Sequence, residues 1–196
     1  MNFSGARNYI LDRLKNELSP DLFYHCLDHT LDIFQATTRL ASLEKVDEHT
    51  LMLLQTAALY HDSGMVSKYL DHEAESISIA REALPIFDYT NNETEEVARL
   101  IYVTRLPQKP ENLPEQIICD ADLDSLGRED YFIQAFRLRL EWSIYGILNV
   151  TLTEWFNLQE KFLREHNYFT IQARSIRQEQ KSKNILEIRE LLSKHR

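Results

Sequence analysis

Residues 53–64 read LLQTAALYHDSG, an apolar run of good helix formers that closes on His61 and Asp62 side by side. Taking an imidazole and a carboxylate out of water costs several kcal/mol unless each is paired, hydrogen-bonded or bound to a cation. Whatever this chain folds into must answer that cost at the end of a core helix.

Only four glycines and five prolines occur in 196 residues, too few for a turn-dense β architecture, while Leu, Glu, Gln, Ala, Arg and Lys favour helix. With 43% hydrophobic residues there is ample material for one large core, so the expectation is a single all-α domain. Periodicity predicts helices at about 4–18, 20–43, 47–62, 70–84, 91–105, 112–124, 128–148, 151–165 and 168–194. Breaks fall at Ser19-Pro20, Ser63-Gly64, Pro85 and the stretch LPQKPENLP. The last helix is long and polar, with Ile171, Ile176, Ile185, Ile188 and Leu192 as its packing residues.

The net charge of −9 is uneven: residues 1–130 carry 11 Lys+Arg against 24 Asp+Glu, residues 131–196 carry 11 against 7. An acidic body disfavours nucleic-acid binding and tolerates a divalent cation. No run reaches the length of a membrane span and the N-terminus is too charged for a signal peptide, so a cytoplasmic protein is expected. Cys26 and Cys119 sit in no CxxC motif and read as free, buried thiols.

Leu22, Cys26, His29, Ile33, Ala36 and Leu40 follow spacings of 4, 3, 4, 3 and 4, one stripe on a helix interrupted by His29. His25 stands one turn before it on the same predicted helix. Leu51, Leu54, Ala58 and His61 form a similar stripe on the next. Asp62 falls at a helix C-terminus, where the dipole disfavours an anion unless a cation reverses the sign. In EQIICDADLDSLG, Asp120, Asp122 and Asp124 lie among Ile117, Ile118, Ala121 and Leu123. Two imidazoles and two carboxylates suit Mn, Fe, Co, Ni or Zn, with Mg less matched to nitrogen donors.

The order His29, His61-Asp62, Asp122 resembles the HD superfamily of metal-dependent phosphohydrolases. YHCLDHTLDIF, LLQTAALYHDSG, HEAESISIA, RLIYVT, CDADLDSLG and YFTIQARSIRQEQKSKNI are similar, in order, to segments of a predicted HD phosphohydrolase subfamily over about residues 20–190. The resemblance implies an HD-type helical bundle, with its core at about 20–130 and C-terminal helices at about 131–196 packed on it. It also implies a divalent metal held by His29, His61, Asp62 and Asp122, with Asp122 the second acid of DAD. Where two-metal members carry a further histidine after the IxxT helix end, this chain reads TRLP with Pro107, which makes a single ion the expectation.

By that resemblance the metal would acidify a water for attack on phosphorus, with Asp62 both holding the ion and accepting a proton. His72 in DHEAES is a candidate for a second metal or for phosphate contact, and His25 for substrate contact or ligand support. Lys68, Arg105 and Arg174, with Arg81 and Lys181 behind them, are candidates to neutralise phosphoryl charge. The substrate is expected to be a small phosphate ester, of a nucleotide or another metabolite, cleaved by a phosphomonoesterase or phosphodiesterase. The main alternative is a catalytically silent nucleotide-binding or regulatory module, because HDSGMVSK lacks the glutamate some HD nucleotidases place after the doublet. A di-iron oxygenase would need more ligands. The aromatics Trp142, Tyr145, Trp155 and Phe156 read as core or as a homodimer contact.

Overall fold

The computed structural model describes residues 1–194, so positions 195 and 196 of the expected C-terminal range lie outside it. Among the described residues there are α-helices and short 3-10 turns and no strand, as the composition implies. The helices are α1 Phe3–Glu17, α2 Leu27–Leu43, α3 Glu48–Tyr60, α4 His72–Ala83, α5 Asn91–Tyr102, α6 Leu113–Asp122, α7 Tyr131–Ile144, α8 Leu152–Glu165 and α9 Ile171–Ser193. None is long and apolar enough to cross a membrane.

Local chemistry sets most helix starts. Asp47 accepts from the Thr50 N–H at 2.9 Å to cap α3, and Thr90–Glu93 and Thr151–Glu154 form reciprocal capping boxes on α5 and α8. The main departure from periodicity is α2, which begins at Leu27 rather than at residue 20. The backbone N–H groups of Tyr24 and His25 donate to the carboxylate of Glu141 on α7, at 2.8 and 3.1 Å. That distant acceptor replaces the helical ladder, so residues 20–26 stay outside the helix and His25 is presented from a loop.

Two apolar clusters organise the chain. The larger is built from α1 to α6, with Ile10, Leu40, Leu54, Ala58, Ile101 and Ile118 fully buried. It includes Ala6, Ile10 and Leu14 of α1. The smaller joins α7, α8 and α9 around Trp155, Leu163 and Ile188. Trp142 meets Trp155 edge to face at 5.6 Å, so these aromatics pack within the chain, while Tyr145 stacks on Tyr69 at 4.3 Å. Cys26 and Cys119 are both unpaired thiols.

Buried polar groups tie α9 to the larger cluster. Asp120 is fully buried and accepts the N–H groups of Phe169 and Thr170, each at 2.8 Å. Asp124 is also buried, gripped by Arg177 at 2.7 and 2.8 Å and by Arg39 at 2.9 Å. Arg177 is thus an ion-pair partner, and Lys181 is buried, donating to the His166 carbonyl at 2.6 Å. Asp120→Ala would strand two N–H groups at the entry to α9 and should cost about 2–4 kcal/mol of stability. Urea unfolding checks it: the midpoint falls while the slope is unchanged.

Candidate metal centre

Asp62 follows the C-terminus of α3 and turns its carboxylate into a ring of imidazoles. Its Oδ2 lies 3.1 Å from His61 Nε2 and 3.4 Å from His29 Nε2, and its Oδ1 lies 3.2 Å from His72 Nε2. His61 Nε2 is 3.7 Å from Asp122 Oδ1, at the end of α6. The structure thus brings together five residues from three helix termini and the first turn of α2.

Gly64 makes the approach of α4 possible. A Cβ there would sit 2.1 Å from the His72 carbonyl oxygen and 2.8 Å from the Ser76 nitrogen, so no other residue fits without displacing backbone. Its N–H donates to Ser76 Oγ at 2.8 Å, which fastens the turn after the doublet to α4.

Three histidines are oriented from behind. His61 Nδ1 donates to the Ala58 carbonyl and His72 Nδ1 to the Tyr69 carbonyl, both at 2.9 Å, leaving each Nε2 for the cluster. His25 Nδ1 is held by Glu141 Oε1, which also accepts from the Tyr69 hydroxyl at 2.8 Å. A ring nitrogen anchored to a carbonyl or carboxylate is the usual support for a metal-binding imidazole. Glu141 is fully buried and was missed by sequence reasoning. Its one signal is a lone acid among the apolar residues of RLRLEWSI. Gln108 was also missed: just after Pro107, its Nε2 donates to Asp122 Oδ2 at 3.0 Å.

The donors fall into two groups able to hold an ion: His29, His61 and Asp122, and His25, Asp62 and His72, each with donor atoms within 4.8 Å of one another. The single-ion expectation rested on Pro107 standing where a histidine was sought. A second donor set exists nonetheless, drawn from the loop before α2 and the start of α4, with Asp62 between the two. The residues fit a cation by a direct criterion, because His61 Nε2 and Asp62 Oδ2 are buried and neither makes an aligned hydrogen bond.

Electrostatics agree. Burial would depress the His61 imidazole, but Asp62 and Asp122 outweigh it and raise it to about 9. For His72, burial is likewise overcome by Asp62 and Glu73, giving about 9. Burial alone would raise Asp62, yet His61, His29 and His72 hold it well below the usual carboxylate range. Burial lifts Asp122 above that range despite His61.

The candidate cations are less engaged. Lys68 and Arg105 are half-exposed and turned to Asp71, at 3.7 and 2.9 Å. Arg174 is not brought to the site, since its guanidinium donates to the Thr170 and Phe169 carbonyls at the start of α9. Arg81 pairs with Glu95 at the surface. Two cavities border the cluster and share Tyr24, Ser125 and Gln134. One, of 340 Å³, is polar and includes His29 and Arg128. The other, of 680 Å³, includes Asp62, His72 and Asp122 and runs between α7 and α8.

Comparison with known proteins identifies the family and the fold. The family model described as HD domain matches residues 26–125, just over half of the chain. Similar solved structures include a predicted HD superfamily hydrolase from an uncultured Thermotogales bacterium, at 20% identity and TM-score 0.65, covering 98% of this chain and 92% of that one. Bacillus subtilis YpgQ is similar at 18% identity, covering 99% of this chain and 97% of that one, with TM-scores of 0.68 for its complex with ADP and 0.69 for the structure described without it. No match was found among curated proteins.

Two outcomes follow from this geometry. A divalent ion requires neutral imidazoles, and His61 and His72 hold their protons up to about pH 9 in metal-free protein. Metal uptake near neutral pH should therefore release protons, and apparent affinity should climb with pH and level off above about 9. Calorimetric titration in buffers of different ionisation enthalpy measures both. Glu141→Gln should weaken any ion that His25 and His72 hold about 10- to 100-fold, read as metal retained per chain.

Proposed function

The chain belongs to the HD-domain family, whose members are in general metal-dependent hydrolases, and from that premise we propose that it hydrolyses a small phosphate ester. The observation that carries the reading is the pair of buried, unpartnered donor atoms on His61 and Asp62, facing His29, His72 and Asp122. His29, His61 and Asp122 with Asp62 would hold one divalent ion, and His25 and His72 with Asp62 would hold a second. A divalent ion there supplies a more acidic water and a Lewis acid for a phosphoryl oxygen.

The protein's own residues do the rest. Nδ1 anchors at Ala58, Tyr69 and Glu141 keep the imidazoles aimed, so little reorganisation is needed when substrate arrives. Asp62 offers the nearest carboxylate oxygen for the proton that water loses. Gln108 holds Asp122 Oδ2, so that Oδ1 remains turned to His61. The ADP bound to YpgQ supports a nucleotide as one candidate substrate, alongside other small phosphorylated metabolites. The metal is one of Mn, Fe, Co, Ni, Zn or Mg.

Elemental analysis of wild type beside Asp62→Ala, after equilibration with mixed divalent metals, is the deciding experiment. Wild type should retain about one or two ions per chain and the variant markedly less, with phosphate-ester turnover falling roughly 10²–10⁴-fold. A folded wild type that retains metal yet turns over no phosphate ester would point instead to a silent regulatory module.

A further inference from the structure

The 680 Å³ cavity beside the donor cluster has the candidate metal donors at one end and a mostly apolar lining beyond them. Asp62, His72 and Asp122 line that end. Away from them the wall is made by Leu138, Trp142, Ile147 and Leu148 of α7 and the segment after it, and by Leu158 and Phe162 of α8. Several of these side chains belong to the smaller apolar cluster, so the cavity is an indentation in a hydrophobic core that opens on a hydrophilic centre.

The charged groups on that wall bring no surplus of positive charge. Asp71 is engaged by Arg105 and Lys68. Lys161 and Glu165 stand one turn apart on α8 with opposite sign. Among the polar side chains, Gln159 Oε1 accepts from the Tyr131 hydroxyl at 2.8 Å, and Gln134 Nε2 donates to Asp130 at 3.0 Å. A nucleobase presents several donors and acceptors that must find partners when taken from water. This wall is mostly aliphatic and aromatic, with Lys161 and Glu165 as its charged side chains from α8, and so offers a base few fixed partners.

We infer that the substrate is a phosphate ester of an apolar alcohol, an alkyl, prenyl or aryl group, whose organic arm fills this cavity while its phosphoryl group meets the donor cluster. This deepens the phosphohydrolase reading and rests on it. The oxygen of water forms a new P–O bond as the ester P–O bond breaks. The departing oxygen leaves with the electron pair and takes up a proton, giving the free alcohol and inorganic phosphate.

The test uses the full-length, metal-loaded protein with a series from methyl to decyl phosphate, beside AMP and ADP. Burial of each methylene should raise kcat/KM about fourfold until the cavity is full, with both nucleotides well below octyl phosphate. Leu138→Glu, and separately Leu148→Glu in case the first fails to fold, should flatten that dependence. Calorimetric binding of octylphosphonate against methylphosphonate gives a readout without turnover, and the longer compound should bind more tightly. A flat series, or nucleotides preferred over octyl phosphate, overturns the inference and leaves the phosphohydrolase reading standing. Tight octylphosphonate binding with no ester cleaved does the reverse for hydrolysis, and supports the cavity's assignment to an apolar arm.

Discussion

The carboxylate of Asp62 is the group around which the site is built. It stands at the C-terminal end of α3, where the helix dipole opposes an anion, and it is almost wholly removed from water. Both penalties are met by imidazoles brought to it: His61 from its own chain segment, His29 from α2 and His72 from α4. The demand for compensation therefore dictates which helices must converge. Gly64 is the steric condition for that convergence, since α4 could not come so close to the turn after the doublet if a side chain intervened.

A division of labour follows from the two apolar clusters. The larger sets the positions of the donors by fixing the ends of α3 and α6 and the first turn of α2. The smaller contributes no donor to either ligand group, but it shapes the space next to them. Between the two runs a polar seam in which Asp120 and Asp124 hold α9 through backbone N–H groups and Arg177. Such buried ion pairs add less to stability than their Coulomb energy suggests, because desolvation offsets much of it. What they supply is a defined way for α9 to dock.

The all-helical fold was legible because the apolar positions recur at helical spacing and few residues break it. His29, His61, Asp62 and Asp122 were legible as polar interruptions of apolar stripes, and the structure gathers them. What could not be read was anything whose partner is remote. The start of α2 depends on a carboxylate 116 positions away, so periodicity carries the helix too far back toward Pro20 and places His25 on it. Arg105 reads as a free cation because its Asp71 partner lies on a distant segment, whereas Arg174 and Lys68 are taken by acceptors within five residues of themselves. The search for a histidine near Pro107 looked along the chain, whereas the second donor set was assembled across it, from residues 25, 62 and 72.

Glu141 gives this assembly a direction in time. Every listening post for the donor cluster except one is encoded before residue 123, and the exception is the carboxylate on α7 that holds the loop of Tyr24 and His25. A chain emerging from the ribosome would thus expose all six candidate ligands before it could orient His25. The candidate donor set is therefore complete only after α7 has been made and has closed on a loop translated more than a hundred residues earlier.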